Sequence, residues 1–249
     1  MKTFYNSIKN LLRPWKNPIE YILLIIIETW GRGKVLSGPF RGLKMKHKFP
    51  TKPMLLGVWE KELSFIWDSL ENQRYIIDIG AAEGFYAVGL AQKYPEKKIK
   101  AFEMNPFSKV LLERMAVDNS TSNLETYGKC EYEDLVKIGE KLEEAMIIMD
   151  CEGYEIQLLQ VKAPSIFKKT HIVVELHEMY EFGCTELLKK RFTETHEIAE
   201  IVGQVRKLED WPNELSFLRL IFPKRILLHF MDEGRPYPMN WLYMKPKSP

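Results

Sequence analysis

A doubly wound α/β fold on a mostly parallel sheet is what this sequence predicts, and three observations predict it. From Arg74 onward, short apolar runs alternate with stretches of helical pattern. The first run, Tyr75–Ile79, passes directly into Gly80-Ala-Ala-Glu-Gly84 and then into a helix. Acids or an imidazole stand at the ends of the later runs, at Glu103, Asp150, Glu152, Glu175 and His177. Runs without polar alternation are strands buried on both faces, and strands separated by helices pair in parallel.

The first 72 residues read as an N-terminal extension of helices and a hairpin, and residues 73–249 as the domain. Asn17 as N-cap, Pro18 at the first helical position and Glu20 mark a helix start, with Gly31 and Gly33 as its end. Ile19, Leu23, Ile26, Ile27 and Trp30 share one face of it. Ser37-Gly-Pro-Phe-Arg-Gly42 is a turn cluster that predicts a hairpin over 34–47. A helix over 55–70 is expected next, with Trp59, Leu63, Ile66 and Trp67 on one side. The alternation then gives strands at Tyr75–Ile79, Lys98–Glu103, Leu124–Tyr127, Ala145–Asp150 and Ile172–Leu176. The helices between and after them are Gly84–Lys93, Pro106–Val117, Tyr132–Leu142, Ile156–Leu159 and Cys184–Phe192. The tail adds strands near Glu197–Val202 and Asn240–Met244, around an irregular apolar stretch Leu215–Phe230.

Composition narrows the function classes. With 249 residues, 45% of them apolar, the chain can build one large domain. A net charge of +2 argues against a nucleic-acid binder. The charge is uneven: residues 1–60 hold eleven Lys/Arg against three acids. That basic, apolar extension leaves two readings open, contact with a membrane face and packing within the chain or against a second copy. The apolar run Tyr21–Ile27 is far short of the ~20 residues that span a bilayer, and no signal-peptide cleavage site follows it. Cys130, Cys151 and Cys184 have no metal-binding or disulfide spacing and read as reduced thiols. A cytoplasmic protein is expected, with the inner membrane face as its one peripheral address.

In an open parallel sheet, ligands bind outside the carboxyl ends of the strands. The turn through Gly80 and Gly84 would let a ligand approach the backbone. Asp78 and Glu83 flank the helix start and would repel a pyrophosphate, so they suit a ligand with cationic centres, such as S-adenosylmethionine. Glu103 lies one helix and one strand beyond Gly84, where an acid can accept both ribose hydroxyls. Asp150, Glu152 and Glu155 could hold the cofactor's ammonium, a substrate or a metal, and binding of cofactor or substrate by Asp150 and Glu152 is the reading favoured. Glu155 is expected to stabilise a helix start or to act from behind the site. His177 is a candidate base, with Asp150 and Glu152 as alternatives. No metal is assigned, and no P-loop is present.

These residues resemble those of the class I S-adenosylmethionine-dependent methyltransferases, and among them the FkbM family. Asp78-x-Gly80-x-Ala82-x-Gly84 is similar to the first motif of that superfamily, with Ala82 at its middle glycine. Asp150-Cys-Glu152-Gly-Tyr-Glu155, followed by Glu175-Leu-His177, resembles the family's Asp-x-Glu-Gly-x-Glu and Glu-Leu-His segments. The resemblance runs from Arg74 to His177. It implies a Rossmann-like sheet of seven strands with the last antiparallel, and methyl transfer to a hydroxyl of a sugar, glycan, glycolipid or secondary metabolite. Gly80, Ala82 and Gly84 would then cradle the amino-acid part of the cofactor, Glu103 the ribose, and residues 129–131 the adenine. An NAD(P)-dependent oxidoreductase and a non-catalytic nucleoside-binding module of the same fold are the alternatives.

Overall fold

The computed structural model describes residues 18–45, 52–138 and 145–247. The basic residues before Pro18, the expected Asn17 N-cap, residues 46–47 of the expected hairpin and the end of the expected Tyr132–Leu142 helix lie outside the described residues.

Seven strands form one sheet: β1 Tyr75–Ile79, β2 Lys98–Phe102, β3 Leu124–Tyr127, β4 Ala145–Met149, β5 His171–Glu175, β6 His196–Ile201 and β7 Trp241–Pro246. Their order is β3-β2-β1-β4-β5-β7-β6. The first five pair in parallel, and β7 runs antiparallel to both β5 and β6. The fold is therefore Rossmann-like and doubly wound, with the reversed last strand that the resemblance implies.

Both faces of the sheet are covered, which is why β1 and β4 carry almost no polar residues. Ile76, Met146, Ile148 and Val173 pack with Ala87, Leu90 and Leu112 on one face. Ile77, Ile147, Met149 and Val174 pack with Leu158, Phe167, Leu188 and Phe192 on the other. Alternate strand residues thus enter opposite cores. The winding direction reverses between β1 and β4, and this switch point is where a doubly wound sheet opens a crevice.

The extension and the tail depart from their sequence readings at several points. The expected 55–70 helix is three short pieces, Lys52–Leu56, a 3₁₀ turn Lys61–Leu63, and Ser64–Trp67. Gly57 at φ 76 and Glu60 at φ 43 turn the chain between them. Among the described residues the expected hairpin is one antiparallel bridge, Lys34 with Lys44. The third departure is in the tail, where Leu215–Phe230 is helical over Leu218–Ile221 and Lys224–Met231. Ile226, Leu227, Phe230 and Met231 fall on one face of that last helix and bury against Leu23 and Ile27 of helix Pro18–Gly31. Ile19 and Trp30, placed on the same face as Leu23 by spacing, are exposed, with Trp30 resting on the Phe217 ring at 5.3 Å. Among the described residues no helix is long and apolar enough to cross a membrane.

Phe40 ties the extension to the domain. Its ring lies 2.7 Å from where a Cβ on Gly89 would stand, so only glycine there lets the ring settle on helix Phe85–Lys93.

Candidate active site

At the switch point the ends of β1 and β4 touch. The Asp150 amide donates to the Ile79 carbonyl at 2.9 Å. The Asp150 carbonyl oxygen sits 1.7 Å from the place of a Cβ on Gly80, whose φ is +86. A side chain at residue 80 would therefore collide with this chain's own backbone. Glycine is required here by the neighbouring strand, a reason the motif reading did not contain. Gly84 in turn makes room for Leu112. Ala82 takes a left-handed φ of 46 and stays exposed, as does Glu83.

Asp78 does not face the crevice rim. It is 2% exposed, and its carboxyl accepts a hydrogen bond from the Ala87 amide in the first turn of helix Phe85–Lys93. Burial raises its pKa to about 7; the Ala87 hydrogen bond opposes the rise and Glu103 adds to it. Its second oxygen has no hydrogen-bond partner. The anion seat at that helix start is thus filled by the chain itself.

Glu103 follows β2 as its place in the sequence requires. Its two oxygens each accept one backbone N–H, from Ala82 at 2.8 Å and from Asn105 at 2.6 Å. Asn105 also caps the next helix, accepting from Phe107 at 2.9 Å, with Pro106 in the first helical position. The carboxylate is pinned by two loops, and each oxygen keeps lone-pair capacity for another donor.

The third group gathers around His177. Its Nδ1 meets Glu155 Oε1 at 2.8 Å. Its Nε2 faces Glu175 Oε2 at 3.2 Å, Asp150 Oδ1 at 3.6 Å and Glu152 Oε2 at 3.8 Å. Glu155 is itself held by the amides of Cys151 at 3.2 Å and Gly153 at 3.3 Å. Left-handed Glu152 and Gly153 (φ 55 and 99) make the turn that carries these amides round and leaves Glu152 exposed. Burial alone would strip the imidazole of its second proton, but hydrogen bonds to Glu155 and Glu175 outweigh it and raise the pKa to about 9. Burial likewise works against ionised Glu175, yet His177, Asp150 and Arg235 bring it down to about 2. Asp150 is raised well above the usual carboxylate range, first by desolvation and then by the charge of Glu175.

Three residues here, Arg235, Tyr86 and Glu60, carried no sequence signal. Arg235 reaches Glu175 Oε1 and Glu60 Oε1, both at 2.5 Å, and lies over the Trp59 ring at 4.8 Å. Tyr86 donates to the other oxygen of Glu60. Glu60 is 2% exposed with a pKa raised to about 8, mainly by burial against the opposing charge of Arg235. The extension thus reaches the domain's acids through an ion pair that nothing local in the sequence announces. Residues 129–131 also arrive at this edge: Tyr154 donates to Glu131 at 2.8 Å, and Lys129 pairs with Glu131 at 2.7 Å.

No protein-family model matches the chain, and no curated protein matches it in sequence. Solved structures do resemble it. The bifunctional kinase-methyltransferase WbdD is 13% identical, with a TM-score of 0.46 over 74% of this chain and 37% of that one. Precorrin-6y C5,15-methyltransferase from Geobacter metallireducens is 11% identical, with a TM-score of 0.49 over 80% and 94%. The O-methyltransferase TomG from Streptomyces achromogenes, solved with S-adenosylmethionine, is 13% identical, with a TM-score of 0.48 over 77% and 82%. The chain spans well under half of WbdD.

Proposed function

We propose that this chain is an S-adenosylmethionine-dependent methyltransferase acting on a hydroxyl oxygen. The observation that carries the reading is the Glu103 carboxylate, pinned by Ala82 and Asn105 beside a helix start already capped by Asp78. Such a corner suits a nucleoside whose ribose is bound by an acid and which brings no phosphate to the helix. A dinucleotide would have to displace the Asp78 carboxyl from the Ala87 amide. The acids at Asp150 and Glu152 favour the cofactor's ammonium and sulfonium charges. That the acceptor is a hydroxyl on a sugar, glycolipid or secondary metabolite rests on the FkbM resemblance of Asp150–Glu155 and Glu175–His177.

In the reaction, the acceptor oxygen attacks the S-methyl carbon in line with the departing thioether. The sulfonium is a good leaving group, so alignment and exclusion of water supply most of the acceleration. The chain's own part is to hold the ribose at Glu103 and to pass the hydroxyl proton to Glu152, the exposed carboxylate 3.8 Å from His177 Nε2; His177 itself, its pKa raised to about 9 by Glu155 and Glu175, already holds a proton on each ring nitrogen. Calorimetry on the folded wild type should show S-adenosylmethionine binding, and a hydroxylated acceptor panel followed by mass spectrometry should show methyl gain. Absence of cofactor binding would sink the reading, and binding of NADH instead would favour an oxidoreductase.

A further inference from the structure

The group around His177 contains two kinds of order. Asp150 Oδ1, Glu175 Oε2 and His177 Nε2 lie within 4.8 Å of one another, and two of the three side chains are buried. The remaining donor atoms of Glu175 and His177 are already engaged. Glu175 Oε1 is taken by Arg235, and His177 Nδ1 is taken by Glu155. The Glu155 oxygen on that ring nitrogen also accepts from the Cys151 and Gly153 amides, so its position is set by the backbone.

We propose that Asp150, Glu175 and His177 form a binding site for a divalent transition cation, with Glu155 as the positioning residue behind the imidazole. A carboxylate on one ring nitrogen fixes the tautomer and turns the other nitrogen toward the ion, the arrangement found behind metal-bound imidazoles. Donors around an ion at about 2.1 Å stand about 3.0 Å apart in an octahedral shell and about 3.4 Å apart in a tetrahedral one. His177 Nε2 is 3.2 Å from Glu175 and 3.6 Å from Asp150, so small side-chain shifts bring all three onto one ion. The ion displaces the proton that His177 carries toward Glu175, and the imidazole left neutral joins two carboxylates that balance a charge of 2+. Mixed nitrogen and oxygen donors select Mn²⁺ or Zn²⁺ over Mg²⁺ or Ca²⁺. Entry is open on the Asp150 side, where exposed Glu152 stands 3.8 Å from the same Nε2 and can guide the ion in. Resting on the methyl-transfer reading, the ion's open positions would take an acceptor that presents two neighbouring oxygens.

The test uses the full chain, stripped with a chelator, dialysed and titrated with Mn²⁺ while free Mn²⁺ is followed by electron paramagnetic resonance. One ion per chain is expected, displaced by Zn²⁺. Asp150→Asn, at the part-exposed donor, should weaken binding at least about tenfold, and Glu155→Gln about 10- to 100-fold although it touches no ion. A folded wild type that takes up neither ion overturns the site, and so does an Asp150→Asn variant that binds as tightly as wild type. S-adenosylmethionine titrated into the same metal-free sample tests the cofactor reading separately. Cofactor binding without ion binding overturns the cation site alone, and ion binding without cofactor binding supports it while overturning the methyltransferase reading.

Discussion

The Glu103 corner and the His177 corner hold their carboxylates in opposite ways. Glu103 is fixed by two backbone amides, Ala82 in the turn after β1 and Asn105 just beyond its own strand. Apart from Glu155, which the Cys151 and Gly153 amides hold, the acids around His177 are fixed by side chains, and Arg235 alone bridges Glu60 and Glu175. Backbone clamping preorganises a group at little cost to neighbours. A side-chain network in a buried place is stable only while every partner is present.

The sharpest way to break that contrast is Arg235→Met. It strands Glu60 and Glu175 without their cation, and removing one partner from a buried pair costs about 3–5 kcal/mol. Urea denaturation should show that loss, with cofactor affinity changed far less. Glu103→Ala should do the reverse. Losing two charge-assisted hydrogen bonds of about 1.5–3 kcal/mol each weakens S-adenosylmethionine binding by on the order of 100-fold or more in calorimetry, while the melt stays cooperative. A large stability loss in Glu103→Ala would erase the distinction between the corners.

Asp78 offers an effect that a change of pH switches on and off. Its folded pKa of about 7 exceeds the ordinary carboxyl value, so folding retains a proton that the unfolded chain gives up. That contribution is fully present below about pH 4, falls as pH rises towards 7, and is gone above it. Asp78→Asn, which stays neutral, should therefore match wild type at pH 4 and exceed it by on the order of 4 kcal/mol at pH 8, about three pKa units at about 1.4 kcal/mol each, read from paired melts. Tyr154→Phe should matter least. Losing its bond to Glu131 is worth about 1 kcal/mol, so cofactor affinity should drop less than tenfold.

How much of this was legible follows the same contrast. The strands were readable because burial on both faces excludes polar residues from β1 and β4, and Glu103 because one helix and one strand separate it from Gly84. The antiparallel β7 came from the resemblance, since spacing carries no direction. The 55–70 helix was misread because helical spacing at Leu63, Ile66 and Trp67 outweighed Gly57, the residue that breaks it. Leu215–Phe230 looked irregular between Pro212 and Pro223, yet Ile226, Leu227, Phe230 and Met231 needed only the Pro18–Gly31 helix as partner to become one. Arg235 was invisible, because its meaning lies in two acids far away in sequence. The proposed cation site was legible only in pieces: Asp150, Glu175 and His177 were each noticed at the ends of apolar runs and a metal was one reading of Asp150–Glu155, but only the pairing of β4 with β5 brings the three donors to one point.

β7 is the last of the seven strands along the chain, yet it lies inside the sheet, between β5 and β6. On a growing chain, β5 therefore waits with one bare edge until Trp241–Pro246 is made, and β6 has nothing to join. Closing so distant a pair is slow, and an open apolar edge invites pairing with another molecule. A ribosome-bound or truncated form ending before Trp241 should aggregate through β5, and the Glu175–His177 corner at the end of that strand would be among the last parts of the molecule to form.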